Sequence, residues 1–170
     1  MDADIEIRPA RDISDFEVAR EFVNALGAWD TGVTPATGMP FHEAVAAYFG
    51  ASPQDLMAKF SEEGADFFIA TIDREAVGCV GYTDEGDGLG EVHKLYVKPA
   101  SRGKRIGAAL MTTVLDAMRQ QGITKAQLVT ATYMADAIAL YRGFGFVECE
   151  PFSDPPDSIT IFMECSLDEQ

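Results

Sequence analysis

Alternation opens the chain. In DIEIRPA, Ile5 and Ile7 are separated by a charged residue, the period of two expected of a strand buried on one face. The period then changes: Phe16, Ala19, Phe22, Val23 and Leu26 recur at helical spacing in ISDFEVAREFVNALGAW. Gly27, Gly32, Pro35, Gly38 and Pro40 predict a loop over 27–41. FHEAVAAYFG and SPQDLMAKFSEEG predict two short helices, the second with Ser52 as N-cap and Pro53 at its first position. DFFIATI and AVGCVGYT predict two strands around a turn at Asp73 and Arg74, and DEGDGLG predicts a loop. EVHKLYVKP predicts a strand. GKRIGAALMTTVLDAMRQQG predicts a helix, with Ile106, Leu110, Val114 and Met118 on one face and Gly122 as its stop. KAQLVTAT predicts a strand, ADAIALYRGF a helix, and GFVECE and ITIFMECSL two last strands on either side of PFSDPPDS.

This order predicts a mixed sheet with helices on both faces, α/β in class and α+β in some schemes. The crossover from 90–98 through 103–121 to 125–131 is a βαβ unit, so those two strands should run parallel. No repeat, low-complexity tract or linker interrupts the pattern, and residues 1–170 read as a single domain. A chain of this length buries roughly 70% of the surface it exposes when unfolded, so it needs no disulfide or metal to hold it.

Composition narrows the partners. Net charge is −15, which argues against nucleic acid and anionic membrane. No run of 18 apolar residues predicts a membrane span, and the acidic start MDADIEIRPA is unlike a signal peptide. Cys79, Cys149 and Cys165 form no CxxC pair and are odd in number, as suits free thiols in a reducing cytoplasm. His42 and His93 lie too far apart for a local metal motif, so no metal is expected.

Charge is uneven along this acidic chain. Lys94, Lys98, Arg102, Lys104 and Arg105 supply five of thirteen basic residues, and no acid occurs from Val92 to Leu115. The island lies past the carboxyl end of a predicted strand, where open α/β sheets bind ligands. The helix start that follows exposes unpaired N–H groups and a positive dipole end, and Gly103 and Gly107 allow close approach to the backbone. The segment RGKRIG lacks the GxxxxGK[ST] pattern and any Ser or Thr after Lys104 for magnesium, and it lacks GxGxxG. The expected ligand is a pyrophosphate held without metal. A metal-dependent nucleotide phosphotransferase is disfavoured on the same ground.

EVHKLYVKPASRGKRIGAALM resembles the acetyl-CoA motif of the GNAT superfamily of N-acetyltransferases, whose core reads R/Q-x-x-G-x-G/A. Arg102 and Gly107 match the ends of the pattern, while Arg105 stands in place of its middle glycine. A second family motif, a helix carrying Tyr-x-x-x-Gly-Phe, matches ALYRGFGF at Tyr141, Gly145 and Phe146, although the usual asparagine is replaced near Met134. The resemblance covers essentially the whole chain. It implies a twisted, mostly antiparallel sheet of about six or seven strands around a central parallel βαβ unit.

It also implies acetyl-CoA as co-substrate and no metal. The pyrophosphate would rest on the backbone of Gly103, Lys104, Arg105, Ile106, Gly107 and Ala108, with charge added by Arg102 and Lys104. The pantetheine arm would pair with Leu95, Tyr96 and Val97, one of whose N–H groups would hold the oxyanion. Glu91 occupies the position of the family's glutamate base. Alternation puts His93 on the same face, and either residue could take the amine proton. Tyr141 matches the tyrosine that protonates the leaving thiolate and contacts the cofactor. Trp29, His42, Phe49 and Phe152 are candidates for lining the acceptor pocket.

The resulting expectation is a cytoplasmic, bacterial-type N-acetyltransferase that acts on the primary amine of a small molecule by direct attack in a ternary complex. The resemblance allows a homodimer. Acetylation of a protein N-terminus or lysine, and a non-catalytic acyl-CoA sensor, are the alternatives.

Overall fold

The computed structural model describes residues 4–37, 51–153 and 160–168, and for residues 27–37 the backbone alone. Its strands are β1 (Ile5–Pro9), β2 (Asp66–Ile72), β3 (Glu75–Gly86), β4 (Leu89–Val97), β5 (Lys125–Ala131), β6 (Val147–Glu148) and β7 (Thr160–Ser166). Its helices are α1 (Ile13–Thr37), α2 (Pro53–Phe60), α3 (Ile106–Gln120) and α4 (Ala135–Gly143). The strands form one sheet in the order β1-β2-β3-β4-β5-β7-β6. Only β4 and β5 run parallel; the other neighbours are antiparallel. The mixed, mostly antiparallel sheet and the central βαβ unit are as the sequence implied.

Period-two alternation sends side chains to two separate cores. In β2, Phe68 and Ala70 join α3 and α4 through Leu110, Val114, Met118 and Tyr141. Phe67 and Ile69 join α1 and α2 on the other face, through Phe16, Phe22, Leu56 and Phe60. These are called here the α3 face and the α1 face. Arg8 fastens β1 to α1 by an ion pair with Asp15 at 2.6 Å, and the guanidinium holds that carboxyl below the usual range. Helix α2 begins in a capping box: Ser52 Oγ accepts from Asp55 N at 3.1 Å, and Asp55 accepts from Ser52 N at 3.2 Å.

Three sequence expectations change. Residues 27–37 are helical, extending α1 through Gly27, Gly32 and Pro35. Glycine weakens a helix by about 1 kcal/mol relative to alanine but does not forbid one. The loop expected at 84–90 is a tight turn, because Gly86, Asp87 and Gly88 take φ of 88°, 55° and 78° and let β3 and β4 pair almost to its tip. The strand expected in GFVECE shrinks to Val147–Glu148 at the sheet edge. The helix expected in FHEAVAAYFG lies outside the described residues.

Strand β4 holds one residue too many for β3. Cys79 faces Tyr96 and Gly81 faces His93, so Val80 opposes both Lys94 and Leu95. The extra residue is absorbed as a bulge, with Lys94 at φ 58°. Gly78 lies beside it: a Cβ there would stand 2.7 Å from the Tyr96 carbonyl oxygen and 3.2 Å from Leu110 Cδ1. Backbone cannot swing aside as a side chain can. Gly78→Ala is therefore expected to lower stability by about 1–3 kcal/mol in chemical denaturation; an unchanged midpoint would show that the bulge is not tightly packed.

Candidate active site

The pairing of β4 with β5 stops early. Leu89, Gly90 and Glu91 face Lys125, Ala126 and Gln127, and no further pair forms although β4 runs on to Val97 and β5 to Ala131. The strands separate at their carboxyl ends. This leaves a cleft whose apex is Glu91 and whose mouth is the loop 98–105 leading into α3.

The bulge decides which side chains flank the cleft on each face. Val92 belongs to the α3 face, and His93 packs edge-on to Phe60 of the α1 face at 6.0 Å between ring centres. Beyond Lys94 the phase has shifted: Leu95 and Val97 pack on the α3 face, whereas Tyr96 is buried on the α1 face against Phe22 at 5.6 Å. Of Leu95, Tyr96 and Val97, then, Tyr96 offers the cleft its backbone rather than its ring.

On the α1 face four polar groups meet. His93 Nε2 lies 2.8 Å from Thr83 Oγ1 and 3.9 Å from Glu91 Oε2. The Thr83 hydroxyl donates to Glu85 Oε1, so His93 donates through Nε2–H and keeps its lone pair on Nδ1. Burial, then the charges of Lys59 and Lys94, pushes the His93 imidazolium down to about 3, so the ring is neutral at physiological pH. Burial and the neighbouring Glu85 raise the Glu91 carboxyl above its usual range. Glu85, Glu91 and His93 bring ligand atoms within 4.8 Å of one another. Lys59 and Lys94, which act on the same ring, oppose a divalent cation there.

Tyr141 lies on the opposite side. It is buried in the α3-face core beside Phe146, with ring centres 6.0 Å apart, and burial holds its hydroxyl protonated far above neutral pH. Glu91 and Tyr141 thus lie on opposite faces of the sheet. Cys79 is no nucleophile: it is buried, its thiol donates to the Lys94 carbonyl at 3.3 Å, and burial pushes its pKa up to about 12.

The mouth of the cleft divides the basic island. Lys98 turns away to Glu75 at 3.2 Å and over the Phe22 ring. Arg102 Nε donates to the Val97 carbonyl at 3.1 Å and ties the loop to the strand end. Lys94 is half-buried and feels the charges of Lys59 and Cys79. Lys104 and Arg105 remain exposed at the start of α3. Gly103 takes φ 81°, with nothing within 4 Å of the place a Cβ would occupy. Arg105 is the N-cap of α3 and takes φ 62°, the left-handed conformation that a glycine would enter freely. The side chain of Ile106 is buried in the core, and only its backbone is available to a ligand. At Gly107 a Cβ would meet Leu140 at 3.2 Å, so this glycine also lets α3 pack on α4. Ala108 follows in the first turn of α3.

The acceptor candidates are less well defined. The side chain of Trp29 is not described, and His42 and Phe49 lie outside the described residues. Phe152 packs edge-on against Phe162 at 4.8 Å, and Phe162 leaves β7 on the face opposite Met163 of the α3-face core. Phe152 is therefore on the side of the sheet that carries His93. Lys59, Thr83 and Glu85 were missed by sequence reasoning. They come from α2 and β3, and only the cross-strand register brings them to His93.

The model of the GNAT acetyltransferase family matches residues 37–146. The chain belongs to that family. An IAA acetyltransferase from Azospirillum brasilense is 39% identical over 104 residues, 59% of this chain and 67% of that protein. This chain spans about two thirds or less of the length of the curated relatives it matches. A GNAT acetyltransferase from Staphylococcus aureus Mu50 superposes with a TM-score of 0.75 at 19% identity, over 97% of this chain and 100% of that one. The PaiA N-acetyltransferase of Thermoplasma acidophilum, solved in complex with coenzyme A, gives 0.75 at 22% identity, over 96% and 99%. Both share the fold.

The left-handed residues at the mouth give a direct test. Gly103→Ala should cost about 1–2 kcal/mol of stability. Arg105→Gly should raise stability by up to about 1 kcal/mol, the relief of the left-handed strain less the entropy of a glycine. Chemical denaturation reads both; a stability loss in the Arg105 variant would mean that its side chain is a structural tie.

Proposed function

We propose that this chain transfers the acetyl group of acetyl-CoA to a primary amine of a small molecule, by direct attack while both substrates are bound. The observation that carries the reading is the end of β4–β5 pairing at Glu91, which leaves that carboxyl at the apex of the cleft, with Tyr141 buried on the other face of the sheet. The pyrophosphate of the co-substrate fits the loop 98–105. Its backbone turns at Gly103 and Arg105 with positive φ, and the N–H groups of the first turn of α3 follow. The open space around Gly103 leaves that backbone accessible.

In this reading the amine enters from the α1 face. Glu91 takes its proton, directly or through a water, and the raised pKa makes the carboxylate a better base than an ordinary glutamate. Nitrogen attacks the thioester carbonyl. A β4 N–H along Leu95–Val97 stabilises the oxyanion. The C–S bond then breaks, and the thiolate takes a proton from Tyr141, whose hydroxyl burial keeps protonated. His93 donates its Nε2–H hydrogen bond to Thr83 and resists protonation, so in this reading Glu91 rather than His93 is the base. The buried Cys79 supports direct transfer without an acyl-enzyme.

The pH dependence carries a sign. Glu91 must be ionised, so kcat/KM should fall as pH drops through a pKa above the usual carboxylate value of about 4.3. Glu91→Gln should lower kcat/KM by about a hundredfold or more and abolish that limb. Tyr141→Phe should lower kcat while leaving the affinity for acetyl-CoA near that of the wild type. Thiol-release kinetics with a panel of amines measure both. A pH profile unchanged by Glu91→Gln removes that residue as base, and equal losses of kcat and of cofactor affinity at Tyr141 would assign it to packing.

A further inference from the structure

Two carboxylates meet on the α1 face where the reaction needs one base. Thr83 is the register partner of Glu91 across β3 and β4, so their side chains leave the sheet next to each other. Asp84 faces Gly90 and Gly86 faces Leu89, so Glu85 is the extra residue of a second bulge, in β3. No cross-strand neighbour fixes it. The Thr83 hydroxyl has one proton to give and gives it to Glu85 Oε1, 2.5 Å away, while its oxygen faces His93 Nε2 at 2.8 Å. One oxygen of Glu85, one of Glu91 and a His93 ring nitrogen all lie within 4.8 Å of one another. The other charged groups near Glu91 come from α2 and β4. Lys59 acts on it with the opposite sign, His93 is neutral, and Lys94 acts on the histidine ring. The β5 register partner of Glu91 is Gln127, which carries no charge.

We propose that Glu85 is a positioning residue for the base: with Glu91 it forms a carboxylate pair that receives the amine proton, and the Thr83 hydroxyl holds this second member in place. This rests on the amine-acetyltransferase reading above and adds the residues that fit its base for the work. The pair is unequal. Glu85 is exposed and accepts the Thr83 hydrogen bond, whereas Glu91 is half-buried at the apex of the cleft. The N–H bond of the ammonium breaks, the O–H bond forms on Glu91, and the negative charge stays on Glu85. Like charges this close resist being ionised together, so Glu85 tightens the hold of Glu91 on the proton. Burial acts in the same sense, and the two together raise the Glu91 carboxyl. His93 does not take the second place, because it is neutral and its Nε2–H is given to Thr83.

NMR titration of the isotope-labelled Glu91 carboxyl, identified by its loss in Glu91→Gln, reads the pair without turnover. Glu85→Gln removes the second charge at an exposed position and should lower the Glu91 pKa by about half a pH unit or more, the effect of one charge at this distance near a surface. Burial remains, so the value should stay above the ordinary carboxylate value of about 4.3. Thr83→Val should lower it as well by releasing Glu85, and Thr83→Ser, which keeps the hydroxyl, should hold it where the wild type does. High salt should shrink the difference between the wild type and Glu85→Gln, which a purely structural role would not do. The acidic limb of kcat/KM, followed by thiol release with acetyl-CoA and an amine acceptor, should move down by the same amount in Glu85→Gln. A Glu91 pKa that Glu85→Gln leaves alone overturns the inference, and so does a Thr83→Val variant that titrates like Thr83→Ser. A moved pKa with an unmoved kinetic limb overturns it too, since the pair then does not receive the amine proton; all three leave amine acetylation standing. Turnover of no amine by the wild type overturns the acetyltransferase reading itself, and the inference falls with it.

Discussion

At Lys94 strand β4 has one residue more than β3 can pair, and the backbone absorbs it at φ 58°. A bulge bends its strand and sharpens the local twist. Pairing with β5 ends at Glu91, three residues before it. The same inserted residue reverses which side chains point up and which point down. Glu91 and His93 precede the reversal and share the α1 face, while Leu95 and Val97 follow it and pack against α3. Without the insertion, Tyr96 would leave the α1 core and Leu95 would enter it. Which side chains of β4 flank the cleft on each face depends on this one residue of mismatch.

Such a distortion persists only if its surroundings fix it. Here both cores do so. Gly78 leaves room for the Tyr96 carbonyl, Cys79 donates to that of Lys94, and Phe22 packs on the Tyr96 ring. At the mouth, Arg102 ties the loop to the Val97 carbonyl, and Gly107 lets α3 settle against Leu140. These contacts help hold the left-handed turns at Gly103 and Arg105 in place, so the fold itself sets the N–H groups at the start of α3. Pre-arrangement of this kind lowers the ordering cost of binding.

Much of this was legible in the sequence. DFFIATI is a strand with the predicted limits because its aromatic and β-branched residues suit both cores, and the capping box at Ser52 is stated by spacing alone. Other features were hidden for physical reasons. Periodicity cannot reveal an extra residue in β4, because the alternation is intact on either side of it. The glycines that read as a loop at 84–90 permit a turn of positive φ, so composition alone did not separate loop from hairpin. Lys94 and Lys98 looked like part of an anion seat because they are neighbours in sequence. Lys94 lies instead within reach of the charges of Lys59 and Cys79, and Lys98 pairs with Glu75. The α1-face cluster of Lys59, Thr83, Glu85 and His93 joins residues from three elements, and nothing local announces it.

The central claim is that the β4–β5 cleft and the left-handed loop at its mouth seat acetyl-CoA. Backbone amide hydrogen exchange, followed with and without acetyl-CoA, tests it most directly. The account predicts slowed exchange in two runs, Leu95–Val97 and Gly103–Ala108, with little change in β1 and β2. Binding without protection of either run, or no binding at all, would contradict it.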